Sequence, residues 1–350
     1  MKKPHVHLLY EYGEDQRPFG VAYIRVLRPL QHPHNASFIE VTHGREYAKA
    51  DIVVVQRFWR PDVSLQMAEE LVAQIRRDRG RLVYMIDDNL MDHEGFSVEK
   101  KMVARYLARE ANGVIVSTQP LKERLSALND TILVVPNHLD ERLFGDVRED
   151  KEKTKQEAGR KILGFMGTYT HDADLMMVLQ PLREVLRNHG EEIEFQLVGG
   201  LAHRAVIRAF KDLPHRVLEV EPKDVEYPSF VRWMIRNLKW DLAIAPLEDT
   251  SFNRYKSDIK FLDYSALGIA TICSRVRAYD GSVRHQETGY LAENEPQAWY
   301  EGLEHMLQDD EARMEIASRA QEYVFSERTL QRRASEWWEA IETILDSSIR

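Results

Sequence analysis

A set of candidate anion-binding groups lies in SFNRYKSDIKFLDYSALG, residues 251–268. Arg254, Lys256 and Lys260 fall within seven positions, between DLAIAPL and IATIC, two apolar runs that read as buried strands. Cations beside buried strands cost free energy unless an anion meets them. Ser257 suits a helix N-cap and Asp258 the first turn, and Ile259, Leu262 and Ala266 form an apolar stripe at helical spacing. Gly268 suits the helix stop. A helix from about Asp258 to Leu267 would therefore present free N–H groups beside Arg254 and Lys256, which together make a phosphate site. Asp263 lies roughly 7–8 Å further along the axis at about 1.5 Å per residue, where a carboxylate can accept from ribose hydroxyls. For Lys260 and Asp263 alone, a surface pair at i and i+3 is the plainer reading. It leaves the gathering of Asn253, Arg254 and Lys256 unexplained.

Other groups compete for chemical roles. Asp87 and Asp88 end the apolar run RLVYMI, where one carboxylate could orient an acceptor hydroxyl or act as general base. Loop and cap use of Asp is the alternative. THDAD imitates an Asp-x-Asp metal pattern, but Asp172 is better explained as the N-cap of a helix to about Asn188, so no metal site is expected. His171 is expected to face the ligand. Gly20 lies in a loop after the first strand, Arg25 on the next helix, and Arg57 closes the run IVVVQR. Either arginine could hold an anionic acceptor or a phosphate, or pair within the protein. Tyr10, Tyr12, Phe58 and Trp59 could face a sugar ring, though core packing is the commoner use.

Positioning these groups requires a scaffold, and the pattern supplies one. Short apolar runs (HVHLLYEY, FIEVTH, DIVVVQRF, RLVYMI, GVIVST, TILVVP) alternate with helical segments, which predicts a parallel sheet buried on both faces. DVREDKEKTKQEAGRK then interrupts with charge, and the alternation restarts with KILGFMG, EFQLVGG, RVLEVE, DLAIAPL and IATICS. The expected architecture is α/β: two tandem Rossmann-like, doubly wound domains facing across a cleft, where ligands bind beyond the carboxyl ends of the strands. The expected division is 1–155, 156–330, and a C-terminal helix in 331–350 that packs back on the first domain with Trp337 and Trp338.

A formal charge of −9 disfavours nucleic acid and anionic lipid as general partners, so anion binding must be local. The single cysteine, Cys273, forbids an internal disulfide and points to a reducing compartment. Neither a signal-peptide core nor a membrane-length apolar run is found, which predicts a cytoplasmic protein, with peripheral membrane contact only through its acceptor. The Gly-x-Gly-x-x-Gly, P-loop and Gly-x-Ser-x-Gly patterns are missing, which argues against dinucleotide dehydrogenases, common NTPases and serine hydrolases.

Four passages resemble the retaining, nucleotide-sugar-dependent glycosyltransferases of the GT-B type (glycosyl transferases group 1, family 4-like): APLEDTSFNRYKSDIKFLDYSALGIATICSRVRAY, SVRHQETGYLA, KILGFMGTYTHDADL and EFQLVGG. The resemblance covers most of residues 160–330. It implies that Asp263 contacts the ribose and that Gly167 lies near the diphosphate, with Thr168, Tyr169 and His171 beside it. It further implies that Asn253, Arg254, Lys256, Ser257 and Lys260 serve the donor, Lys256 as a catalytic cation. Where such enzymes often carry an earlier glutamate, this chain has Tyr255. The implied activity is metal-independent transfer of a sugar from a nucleotide-diphosphate donor to a hydroxyl of a saccharide or lipid-linked acceptor, in bacterial-type polysaccharide or glycoconjugate assembly, with no cofactor. Asp87, Asp88, Gly20, Arg25 and Arg57 would stand on the acceptor side. A catalytically silent nucleotide-sugar-binding subunit and a sugar-nucleotide 2-epimerase share the same plan.

Overall fold

The computed structural model describes residues 3–147, 160–201 and 203–347. Its contacts divide the chain into two compact units, residues 1–140, 255–257 and 328–350, and residues 141–254 and 258–327. The anticipated boundary at 155/156 lies outside the described residues.

Each unit is built on a six-stranded parallel sheet. The first holds β1 (His5–Leu9), β2 (Glu40–Gly44), β3 (Ile52–Gln56), β4 (Arg81–Ile86), β5 (Gly113–Val116) and β6 (Ile132–Val134), in the order β2-β1-β3-β4-β5-β6. The second holds β7 (Lys161–Met166), β8 (Ile193–Val198), β9 (Arg216–Leu218), β10 (Leu242–Ala245), β11 (Ala270–Ser274) and β12 (Tyr290–Ala292), in the order β12-β11-β10-β7-β8-β9. Every position of β3 and β11 is buried, as a strand covered on both faces requires. Counted from its own first strand, the second sheet has the dinucleotide-fold order 3-2-1-4-5-6, reversing between β7 and β10. The first has the flavodoxin-like order, reversing between β1 and β3. These reversals are where ligands of such sheets bind.

Local sequence explains the helices around the first sheet. Ser64, Ser97 and Thr118 cap the helices Leu65–Arg77, Val98–Glu110 and Gln119–Leu125, each accepting from the backbone N–H three residues on. The run from Gly20 to Leu30 is helical, but its middle, Tyr23–Leu27, is a π turn. The last helical stretch is broken at Ala334 into Leu330–Arg333 and Ser335–Ser347. Trp337 is fully buried in the first unit, donating from Nε1 to the Arg25 carbonyl at 2.7 Å, with the Arg25 guanidinium 5.5 Å from its ring centroid.

Three helix expectations need correction. The helix anticipated from Asp172 to Asn188 is two, Asp172–Met177 and Leu179–His189. Asp172 does not cap it. Its Oδ2 accepts from the backbone N and Nδ1 of His203, at 2.9 and 2.8 Å, which ties down the loop after β8. The helix Ile259–Ala266 has Asp258 at its N-cap, without a capping side-chain hydrogen bond. Ser257 instead bonds to the Asn137 amide at 2.8 Å, within the first unit.

Candidate functional site

In the second unit, the loops following β7 and β10 flank the sheet's reversal. Gly167 turns the chain out of β7, its N–H bonded to the Val198 carbonyl at 3.0 Å. Gly199 packs so closely here that a Cβ would lie 2.0 Å from the Gly167 carbonyl oxygen, and its φ of +94° also demands glycine. Thr168 is exposed and shares a 2.8 Å hydroxyl contact with Thr170, and Tyr169 opens the 3-10 turn Tyr169–His171.

His171 links the two loops. Its Nδ1 lies 2.7 Å from Asp174 Oδ2 and its Nε2 lies 2.8 Å from Lys260 Nζ, on the helix after β10. An ammonium has no acceptor, so Nε2 must accept from Lys260, and the ring proton resides on Nδ1, donated to Asp174. Buried Asp174 uses its other oxygen to accept from the Glu248 N–H at 2.8 Å and the Asn253 amide at 3.3 Å. Asn253 therefore clips the loop after β10. Lys260 also lies 6.0 Å from the Phe165 ring centroid.

Asp263 lies one turn beyond Lys260, buried to 6% exposure. Its contact from the Tyr227 hydroxyl is long, 3.5 Å. Burial pushes its carboxyl up to about 7, opposed by that hydroxyl and by the Lys260 charge.

Two of the cations expected at the start of this helix have carboxylate partners within their own units. Arg254 is exposed and pairs with Asp249 at 3.1 Å. Lys256 and Ser257 belong to the first unit, where Lys256 Nζ lies 3.7 Å from Asp88. Arg254 lies within the 3-10 turn Asn253–Tyr255, whereas Lys256 and Ser257 follow it. Lys260 reaches the loop after β7 through His171.

In the first unit, the ends of β1, β3 and β4 bring four charged groups together. Arg57 has a left-handed backbone, φ +51°, and its N–H bonds to the Met85 carbonyl at 2.9 Å. Its guanidinium lies 2.8 Å from Glu11, 3.4 Å from Asp87 and 3.5 Å from Asp88. Burial disfavours the Arg57 charge, but Glu11, Asp87 and Asp88 outweigh it and raise its proton affinity. Burial likewise raises the carboxyls of Glu11 and Asp87, with Arg57 opposing both.

The remaining acceptor-side residues stand elsewhere. Gly20 opens the exposed end of the helical run from Gly20 to Leu30. Arg25 is fully buried, donating to the Val135 carbonyl at 2.7 Å and Asn137 Oδ1 at 2.9 Å, and burial lowers its guanidinium to about 10. It cannot meet a ligand at the surface. Tyr12, Phe58 and Trp59 are buried, and Cys273 is a buried core residue. Glu11 was missed by sequence reasoning, although it follows β1 at the same edge that singled out Asp87. Among the described residues, no group of three or more His, Cys, Asp or Glu is placed to hold a metal ion, and no helix is long and apolar enough to cross a membrane.

Residues 160–309 match the family model described as "Glycosyl transferases group 1". No curated protein sequence matches the chain. Among solved structures, it resembles Anabaena HepE in complex with UDP and glucose, with TM-score 0.65 and 13% identity, covering 97% of this chain and 100% of that one. A glycosyltransferase from Rickettsia africae gives TM-score 0.63 at 11% identity, covering 99% of each chain. Sucrose-phosphate synthase from Thermosynechococcus elongatus gives TM-score 0.58 at 13% identity, covering 85% of this chain and 74% of that one. The shared architecture is the GT-B fold.

Proposed function

We propose that this GT-B protein, with a glycosyl transferases group 1 match over residues 160–309, moves a sugar from a nucleoside-diphosphate donor to an acceptor hydroxyl. The observation that carries the reading is the Lys260–His171–Asp174 chain at the reversal between β7 and β10, with Asp263 one turn further on. In this reading the diphosphate docks at Gly167, Thr168 and Lys260, and the ribose diol meets Asp263. Negative charge grows on the leaving phosphate as the glycosidic bond breaks, so a fixed cation there favours the transition state over the ground state. Asp174 fixes the His171 ring, and His171 fixes Lys260, so little reorganisation is needed at that moment.

The first unit takes the acceptor, a saccharide or a lipid-linked saccharide, at the carboxyl edge of its sheet. The reaction uses no metal, its charge handled by Lys260 and backbone N–H groups. A cytoplasmic role in polysaccharide or glycoconjugate assembly is the biological setting we favour. The HepE structures hold UDP with glucose and UDP-glucose, so uridine nucleotides are the first donors to try.

Calorimetry with a panel of nucleoside diphosphates tests the donor site. Lys260→Ala and Asp263→Ala should each weaken binding at least tenfold, while Lys256→Ala should change it less than Lys260→Ala. Wild-type affinity in the Lys260 and Asp263 variants would remove the site, and product analysis with donor and acceptor panels separates transfer from a silent binder or an epimerase.

A further inference from the structure

We propose that a depression in the first unit, at the end of β1, binds a saccharide unit carrying an anionic substituent, a carboxylate or a phosphate, with Lys100 as the cation that selects it. The inference names the acceptor's chemical class and so rests on the transfer reading above. The depression, about 360 Å³, is lined by Glu11, Phe19, Arg57, Arg60, Phe96 and Lys100 among others, all of the first unit. That volume is at the small end of the range of about 300–1,000 Å³ usual for small-molecule sites, which suits one sugar ring better than a chain. It opens beside the reversal between β1 and β3.

Its walls are fixed by the fold itself. The loop after β1 folds back on itself: the Glu11 carbonyl accepts from Phe19 N at 3.1 Å and Gly13 N–H donates to the Arg17 carbonyl at 3.0 Å, around a bridge between Tyr12 and Pro18. Glu11 N–H donates to Gln56 Oε1 at 2.8 Å, which ties the loop to β3. Glu11 Oε2 lies 2.8 Å from Arg57 Nε, and Arg57 is itself held by Asp87 and Asp88. A carboxylate offers about four acceptor positions, so Glu11 keeps some for sugar hydroxyls. Phe96, edge-on to Phe58 at 5.1 Å, and half-exposed Phe19 offer apolar surface to the C–H face of a ring.

The charges decide which sugar. Arg57 is committed to its carboxylates, and Arg60 to Asp62 through contacts at 2.7 and 3.0 Å. Lys100 differs. It is half-buried near the start of the helix Val98–Glu110, its Nζ 5.5 Å from the Phe58 ring centroid and 6.0 Å from that of Phe96. Among the described residues it forms no ion pair. Ring faces attract an ammonium without neutralising it, and its N–H donors still call for an acceptor. Glu14, the other carboxylate on the rim, is exposed, and water weakens its repulsion of an anion. The set matches a pyranose whose face packs on the rings, whose hydroxyls meet Glu11 and whose anionic group meets Lys100.

The test is calorimetry with methyl glucoside, methyl glucuronide and methyl glucoside phosphorylated on its primary hydroxyl, for wild type, Lys100→Met and Lys100→Arg. Wild type should bind one of the anionic glycosides about tenfold more tightly than the neutral one, or better, with the preference shrinking as salt rises. The two anionic arms say whether carboxylate or phosphate is the group. Lys100→Met keeps the apolar stem and should bring the anionic glycoside to the affinity of the neutral one, while Lys100→Arg should retain most of the preference. Affinity for uridine diphosphate should stay within a few-fold in both variants, since Lys260 and Asp263 belong to the other unit. A wild type that binds the glycosides alike, or binds none at millimolar concentration, overturns the proposal and leaves the transfer reading standing, as does a Lys100→Met protein that keeps the preference. A wild type that transfers no sugar from any donor overturns both, because the depression would then serve no acceptor.

Discussion

Asp263 gives the sharpest physical test, because its ionised form is buried with little to support it. Its carboxyl is pushed from 3.8 to about 7 by burial. Between those values the folded protein holds a proton that the unfolded chain has released. The stabilisation is therefore full below about pH 4 and is lost as pH rises through 7. Three pH units at about 1.4 kcal/mol each give a cost of roughly 4 kcal/mol for the ionised group at pH 8. Asp263→Asn removes that cost but brings two amide hydrogens into a pocket with one distant hydroxyl, a penalty of about 1–3 kcal/mol. The variant should thus be more stable than wild type by about 1–3 kcal/mol at pH 8, and no more stable at pH 4. At roughly 2–4 °C per kcal/mol for domains of about 150–250 residues, the melting temperature rises by about 2–12 °C. Thermal melts followed by circular dichroism from pH 4 to 8, without nucleotide, measure the difference. An offset independent of pH, or a variant less stable than wild type at pH 8, refutes the reasoning. If the variant also loses nucleoside-diphosphate binding, the carboxylate is one that function retains against stability.

Two further substitutions probe the scaffold. Gly199→Ala forces a Cβ to within 2.0 Å of the Gly167 oxygen at φ +94°, so urea unfolding should show a loss of at least about 2 kcal/mol. Trp337→Phe removes the 2.7 Å bond to the Arg25 carbonyl and the face beneath the Arg25 guanidinium, and should cost about 2–4 kcal/mol in the same measurement.

The sheets were legible because burial on both faces leaves unbroken apolar runs such as IVVVQ and ATICS, and the turns between them are charged or glycine-rich. Periodicity could not show the π turn at Tyr23–Leu27, within which Arg25 is fully buried. Nor could it show pairing over long sequence separations. Arg254, Lys256 and Lys260 look like one cluster along the chain, yet their partners are Asp249, Asp88 and His171. Ser257 reads as a cap, and Asn137, 120 positions away, takes its hydroxyl instead. Glu11 was within reach, since the rule that selects acids at carboxyl ends of strands applies to β1 as well as to β4.

Buried ion networks are poor sources of stability, since desolvation cancels most of the attraction. Yet this chain builds one at the reversal of each sheet: Arg57 among Glu11, Asp87 and Asp88 in the first unit, and His171 between Asp174 and Lys260 in the second. The first includes a left-handed arginine, the second a glycine contact that no side chain could replace. A sheet held by apolar packing has no structural need for either. Their effect is local: Arg57 gathers Glu11, Asp87 and Asp88 within the first unit, and within the second Asp174 sets the His171 tautomer that accepts from Lys260.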